Sequence, residues 1–277
     1  MSAVRRPYPS DLSDAEWALL APLLPPPRRT GRPRKWPDRL IADAVFYMLR
    51  SGCAWRMLPD SFPPWSTVFS RFRRWRLDGT LRRAHDVLRG LVRQRAGRAA
   101  DSTAAVIDSQ SAKTTGVGGP ARGYDGGKRV HGRKRHLLVD VMGLVLAACV
   151  HAADVQDREG ARLLVEKAPN VPPSLQLVWA DQGYTGACAQ WMHETRGWRL
   201  EVVRHPERQI WRYGLEDRPT RAFRVLPRRW VVERTFAWLG QSRRLSKDYE
   251  RLPQTSEAMI YGAMSRLMLR RLTRTVA

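Results

Sequence analysis

Three acidic residues stand where chemistry is possible. Ala105-Val106-Ile107-Asp108 and Leu177-Val178-Trp179-Ala180-Asp181 are short apolar runs, each closed by an aspartate. Such runs read as buried β-strands, and two strand-end carboxylates on neighbouring strands can converge on one point. Carboxylates that close repel one another unless a cation sits between them. Oxygen-only ligands suit Mg²⁺ or Mn²⁺, ions that also bind phosphate oxygens. A third acid, Glu233, lies in Arg229-Trp230-Val231-Val232-Glu233-Arg234-Thr235-Phe236-Ala237-Trp238-Leu239. Helical spacing puts Arg229 one turn before it, with Val232, Phe236 and Leu239 as an adjacent apolar stripe that can pack on a sheet. Taken singly, each feature has a plainer reading: a turn aspartate, or a surface ion pair of little energy.

The setting favours a polyanionic partner. The chain has 277 residues, 49 Lys and Arg against 26 Asp and Glu, and a formal net charge of +23. A field of that size draws nucleic acid, and an anionic membrane surface ranks second. The longest apolar stretch, 137–150, is broken by Asp140 and is too short to span a bilayer. The first residues carry charge without a following apolar segment, so no signal peptide is expected. Cys53, Cys149 and Cys188 are scattered, with no disulfide framework and no zinc spacing, and Cys53 and Cys149 read as buried apolar residues. The six histidines show no zinc pattern either. Gly116–Gly127 holds six glycines but lacks the context of a phosphate-binding loop, so no nucleotide cofactor is expected and a flexible hairpin is the better account. The expected compartment is the cytoplasm, beside the nucleoid.

The elements that must position these acids fall into two parts. Residues 1–98 read as short helices. Ser13-Asp14-Ala15-Glu16 is a capping box, and a second helix starts at Asp38 and closes at Gly52. Ser66 caps a third helix through Leu77, and Gly79 precedes a fourth. In the third, Phe69, Phe72 and Trp75 recur at helical spacing while Arg71, Arg73, Arg74 and Arg76 interleave, as in a helix that enters a DNA groove. The aromatic stripe is core material, and Arg71 and Arg74 are the candidates for phosphate. Thr30-Gly31-Arg32-Pro33-Arg34-Lys35 reads either as a minor-groove hook through Arg32 or as a plain basic linker. Residues 99–277 change rhythm: a hairpin over 136–150 around Gly143, a helix over 158–167, a further strand at 200–203, and helices from 228 onward, interrupted near Pro253.

Ile107-Asp108-Ser109-Gln110-Ser111-Ala112-Lys113-Thr114, Trp179-Ala180-Asp181-Gln182-Gly183-Tyr184 and the Glu233 segment, in this order, resemble the DDE transposases of bacterial insertion sequences, specifically the insertion-sequence-five group. The segments 134–140 and 243–250 are similar to that group as well. The resemblance implies an α/β fold: a ribonuclease-H-like catalytic domain (99–277) preceded by a small all-helical DNA-binding module (1–98). It implies Asp108, Asp181 and Glu233 as catalytic metal ligands for Mg²⁺ or Mn²⁺, two ions. It implies cleavage at the insertion-sequence ends and transfer of the 3′-hydroxyl into target DNA, by a homodimer on double-stranded DNA. Lys113, Lys134, Arg135, Arg229, Arg234 and Lys247 join Arg32, Arg71 and Arg74 as expected DNA contacts. The family signature around the glutamate is matched by Arg229 and Glu233, but its Tyr position is Leu226 and its Lys position Gly240; Arg243, Arg244 or Lys247 stands in for the Lys. Two other readings remain open: a DNA-binding regulator without catalysis, and a nuclease that cuts without joining.

Overall fold

The computed structural model describes residues 7–27, 30, 33–116, 118–168, 171–203 and 230–274. Four helices come first: α1 (Asp14–Leu20), α2 (Asp38–Ser51), α3 (Trp65–Leu77) and α4 (Thr80–Arg95). The capping box forms as the sequence predicts: the Glu16 amide donates to the Ser13 hydroxyl, and the Ser13 amide to the Glu16 carboxylate. Gly52 ends α2 in the left-handed region, where a side chain is strained. The helix α3 starts earlier than expected. Pro64 takes the N-cap position with no side-chain bond, and Ser66 lies inside the first turn. The proline fixes its own φ near the value a helix entry needs, so a hydroxyl cap is not required.

A six-stranded sheet follows: β1 (Ala104–Lys113), β2 (Gly123–Asp125), β3 (Val130–Asp140), β4 (Val145–Ala152), β5 (Leu177–Ala180) and β6 (Arg199–Val202). The strand order is β2-β3-β1-β5-β6, with β4 also paired to β3. β1 is antiparallel to β3 and parallel to β5, and β5 is parallel to β6. The parallel connections carry α5 (Asp157–Glu166) and α6 (Ala187–Arg196), as parallel pairing demands. Two further helices, α7 (Trp230–Gly240) and α8 (Pro253–Thr273), come last. The expected hairpin is β3–β4, turning at Gly143 with φ +80°. β1 is longer than the apolar run suggests, so Asp108 lies mid-strand rather than at a strand end. Antiparallel pairing with β3 continues through Lys113, and this holds the polar second half of β1 in the sheet.

The sheet has two apolar faces. Ala105, Ile107, Leu138, Val178 and Ala180 pack with Leu164, Val165 and Met192 of α5 and α6. On the other face, Val106, Leu137, Val139 and Trp179 join one continuous core with α7, α8 and the N-terminal helices. Residues 7–98 therefore do not pack apart from the sheet: α1, α2, α3 and α4 all contact α8. The edge strand β4 is covered by α8. The Ala148 amide donates to the Tyr261 hydroxyl (3.0 Å) and the Val150 amide to Glu257 (2.9 Å), which removes exposed edge donors. Cys149 and Cys188 are buried, while Cys53 is half-buried.

One buried ion pair fastens α4 to the sheet. Arg93 donates to Asp140 and to the carbonyls of Ala99 and Asp101. The same carboxylate accepts the amides of Met142 (2.9 Å) and Leu144 (2.8 Å), and so shapes the β3–β4 turn. Neither side chain reaches solvent appreciably. Asp140→Ala leaves a buried guanidinium unpaired and is expected to cost about 3–5 kcal/mol. A fall of that size in the urea unfolding free energy supports this role; a change below about 1 kcal/mol, the range of exposed pairs, refutes it.

Candidate active site

The parallel pairing of β1 and β5 sets the site. Its register aligns Val106 with Trp179, so two residues further on Asp108 and Asp181 occupy corresponding positions on adjacent strands. Alternation puts Asp108 on the same face as Val106, the face on which α7 packs. The Asp108 carboxylate accepts the Ser109 amide at 2.7 Å. Asp181 caps the short turn 182–184 by accepting the Gly183 amide at 2.7 Å. Both side chains are partly exposed.

Tyr184 reports the negative charge gathered here. It is fully buried, and its phenol is pushed well above its ordinary value, by burial first and then by the carboxylates of Asp108, Asp157 and Asp181. Asp157, the first residue of α5, was not among the acids singled out from sequence. A Cβ at Gly183 would lie 2.9 Å from one Asp181 oxygen and 3.4 Å from one Asp157 oxygen, so these two carboxylates flank the same glycine. Asp157 accepts the Ser109 hydroxyl at 2.9 Å. Burial raises its pKa, but the Ser109 hydrogen bond and Lys134 outweigh that, and the net shift is downward.

Lys134 sits within this network. It is buried, donates to the Val155 carbonyl at 2.8 Å, and lies 3.2 Å from Asp157 and 3.8 Å from Asp125. Lys128 donates to the Ser109 carbonyl at 3.1 Å. Beneath them, His136 Nδ1 and His151 Nε2 are 2.7 Å apart, and His151 Nδ1 donates to the Ala152 carbonyl. With both rings neutral, as their burial favours, His136 donates to His151 in that chain. Burial, followed by His151, pushes His136 down to about 3.

Glu233 stands exposed on α7, with Val231, Val232, Phe236 and Leu239 buried around it. The helix is docked on the β3–β4 turn. Thr235 donates to the Gly143 carbonyl at 2.7 Å and Arg234 to that of Met142 at 2.9 Å. Arg234 also lies over the rings of Trp230 (4.3 Å) and Trp238 (4.7 Å), so its donors and its faces serve the fold. Among the described residues, no three acids, histidines or cysteines are grouped closely enough to hold one metal ion. The β1–β5 register leads Asp108 and Asp181 to corresponding positions, Asp157 flanks the same glycine as Asp181 from the α5 side, and Glu233 lies on a helix packed against β1 and β3. The donor chemistry fits a hard divalent cation: Asp108 on β1 and Asp181 just after β5 present carboxylate oxygens, both partly open to solvent.

The expected DNA contacts divide into three kinds. Arg74, Lys113 and Lys247 are exposed, and the last two are neighbours, because the Asp248 amide donates to the Lys113 carbonyl. Arg71 is half-buried in an ion pair with Asp38 (3.2 Å). Arg135 is corrected by the structure: it is 1% exposed and donates to the carbonyls of Leu245 and Lys247, which leaves it no access to a phosphate. Its position at the centre of β3 faces it into the layer between the sheet and the segment 243–250. Arg32 and Arg229 lie outside the described residues.

Comparison with known proteins now decides the family. Residues 12–85 match a family described as "Putative transposase of IS4/5 family", and residues 99–268 match the transposase DDE domain. The chain belongs to the DDE transposases. An uncharacterized 16.2 kDa protein of insertion element IS402 from Burkholderia cepacia is 34% identical over 113 residues, which cover 39% of this chain and 76% of that protein. The "Putative transposase for insertion sequence element IS402" of the same organism is 32% identical over 143 residues, 49% of this chain and 60% of that one. Uncharacterized protein y4sN of Sinorhizobium fredii (strain NBRC 101917 / NGR234) is 30% identical over 109 residues, 31% of this chain and 87% of that protein. No solved structure matches the chain. Among the described residues no helix of this transposase is long and apolar enough to cross a membrane.

Two outcomes test the layer under the carboxylates. A Cβ at Gly160 would meet His136 at 2.3 Å and His151 at 2.6 Å. Gly160→Ala is therefore expected to destabilise the protein by about 1–3 kcal/mol through overpacking, measured by urea denaturation; an unchanged midpoint would show that the pair yields freely. The second outcome concerns pH. With His136 held at about 3 in the folded chain against 6.5 ordinarily, the unfolded chain takes up the proton first as pH falls. The stability owed to neutral His136 is complete above about pH 6.5 and is lost on going down toward 3. His136→Phe should flatten that slope, and an equally steep slope in the variant argues against it.

Proposed function

We propose that this DDE transposase cleaves phosphodiester bonds at insertion-sequence ends and joins the freed 3′-hydroxyl to target DNA, using Asp108, Asp181 and Glu233. The observation that supports the reading is the parallel β1–β5 pairing, whose register, continued two residues, aligns Asp108 with Asp181 on the face where the helix of Glu233 packs. The sheet supports a ribonuclease-H-like fold: β4, β3 and β1 run antiparallel, and β5 and β6 continue parallel to β1. A division near residue 98 into a DNA-binding part and a catalytic part is supported by the two matched segments on either side of it.

Asp108, Asp181 and Glu233 would hold Mg²⁺ or Mn²⁺, two ions in the full site, with all ligands oxygen. Bound there, divalent cations make the attacking hydroxyl more acidic and stabilise the departing oxygen. The chain's own groups do the positioning. Ser109 orients Asp108 through its amide and Asp157 through its hydroxyl. Lys134 and Lys128 offset the negative charge that three neighbouring aspartates create. Arg74, Lys113 and Lys247 offer exposed charge to the DNA backbone, supported by the +23 excess. Pairing of two ends on a homodimer is part of the same reading.

The experiment is cleavage and joining of DNA bearing the flanking element's ends, with Mg²⁺ or Mn²⁺. Asp108→Asn, Asp181→Asn and Glu233→Gln are each expected to reduce both steps to background while DNA binding persists. Full activity in any one of them removes that residue from the site. Cutting without joining by the unaltered protein would instead identify a nuclease.

A further inference from the structure

Beyond the carboxylates, a cluster of arginines lines a cleft between α2, α7 and α8. Its volume is about 260 Å³, and Arg50, Arg266, Arg270, Arg271, Arg274 and Trp238 line it. Among the described residues, Glu16 is the single carboxylate ion-paired to any of these five arginines, through Arg266. Among the described residues the hydrogen bonds and ring contacts of Arg50, Arg270 and Arg271 go to neutral groups. Arg50 donates to the Gln241 carbonyl at 2.7 Å, Arg270 to that of Pro9 at 3.4 Å, and Arg271 lies over the Trp238 ring at 4.3 Å. Arg50, Arg270 and Arg274 are exposed.

Like charges crowded this way repel, and the repulsion is relieved when an anion enters. The crowding is visible at two of the guanidiniums. Burial and then Arg266, Arg50 and Arg274 hold Arg270 below its ordinary value, against the pull of Glu16. Burial and then Arg234 do the same to Arg271. The planar forks match phosphate oxygens two at a time. The cleft is several times the volume of one water, so a phosphate group with part of its sugar fits.

The position of the cleft ties it to the chemistry. Trp238 and Gln241 lie on and just after α7, the helix of Glu233. Trp238 lies five positions beyond Glu233, a rise of about 7.5 Å along the helix axis and a rotation of about 140° around it. A strand held in the cleft is therefore fixed against the same helix that carries the third acid.

We propose that this arginine cleft is a second DNA site, which grips a backbone phosphodiester of a duplex and so sets where the strand crosses Glu233. The assignment rests on the DNA-cleaving reading, and its site is formed by the first and last parts of the chain together. The charge of this site comes mainly from arginines on and just after α8, 30 or so residues beyond Gly240.

The test is DNA binding by the full chain as a function of KCl, with a fluorescent duplex carrying the flanking element's end. Each phosphate contact contributes a slope of about 0.9 in log affinity against log salt. Arg270→Ala/Arg271→Ala is expected to weaken binding and lower the slope by roughly 2, while Arg271→Lys keeps it near the parent value. Arg274→Ala, exposed at the end of α8, should lower it by roughly 1 and serves where the double variant melts early. A parent-like slope in Arg274→Ala and the double variant overturns the proposal. So does a cleft that binds inorganic phosphate but leaves the DNA slope untouched, since that is a small-anion site. The two readings fail separately. An unaltered protein that does not bind DNA sinks the functional assignment, whereas cleavage by Asp108→Asn sinks the catalytic roles and leaves the slope result standing.

Discussion

The structure depends on β1 being paired on both sides. Its antiparallel ladder to β3 runs from Ala105 to Lys113, while its parallel ladder to β5 covers Ala104 to Val106 and then stops. Where β5 leaves the sheet, its backbone is free to turn at Asp181, and Asp108 continues in a strand still held by β3. Two carboxylates are thus brought to one place by backbone pairing, whatever their mutual repulsion. Side chains alone would not hold them there, because like charges separate when they can. The remaining polar network is a response to that placement. Lys134, Lys128 and Ser109 surround the aspartates with positive charge and donors, and the neutral His136–His151 pair fills the layer below without adding charge.

The second organising element is α8. It contacts all four N-terminal helices, covers the free edge of β4, and lies against α7. An edge strand with open amides invites pairing with other chains, and Tyr261 and Glu257 occupy those amides. The same helix presents Arg266, Arg270 and Arg271 on its outer side. One helix therefore joins the sheet to the N-terminal region and carries charge to the surface beside Glu233.

Much of this was readable in the residues, for reasons that differ from place to place. Asp108 and Asp181 stood out because each closes an apolar run, and only their order with Glu233 in a very basic chain set them apart from ordinary turn aspartates. The helices α1 and α2 were legible from local chemistry, the capping box at Ser13 and the glycine at 52. Asp157 was not, since it sits at a helix start, where an acid is the ordinary choice. Only the tertiary fold sets it beside Ser109 and Gly183. Its one available signal was the run of Val155-Gln156-Asp157 entering a helical pattern, which fits any N-terminal turn. Arg135 misled for the opposite reason. A basic residue on a strand reads as surface, but β3 is covered on both faces, and its carbonyl partners at 245 and 247 are over a hundred positions away. The likeness of sequence alone between Arg135 and Arg74 hides the fact that one closes a core and the other meets solvent.

That contrast governs how a chain so rich in arginine can fold at all. A guanidinium has five donors, and buried ones are tolerable when those donors find acceptors. Arg133 does so with the carbonyls of Pro120, Glu250 and Arg251 and with Asp248, and Arg93 with Asp140 and two carbonyls. These arginines bind distant segments to the sheet and contribute little field outside. The formal +23 is what remains after every acid is counted, so no internal pairing removes it. The excess must then be borne by the surface, and the protein's form decides where. It gathers on α3, on the adjoining ends at Lys113 and Lys247, and in the cleft of α8. A surface so charged is stable alone only through screening by salt, and a DNA backbone laid along it replaces many separate counterions by one ligand. The folded chain is in this sense suited to a polyanion: its interior uses arginine as a connector, and its surface bears the remaining charge.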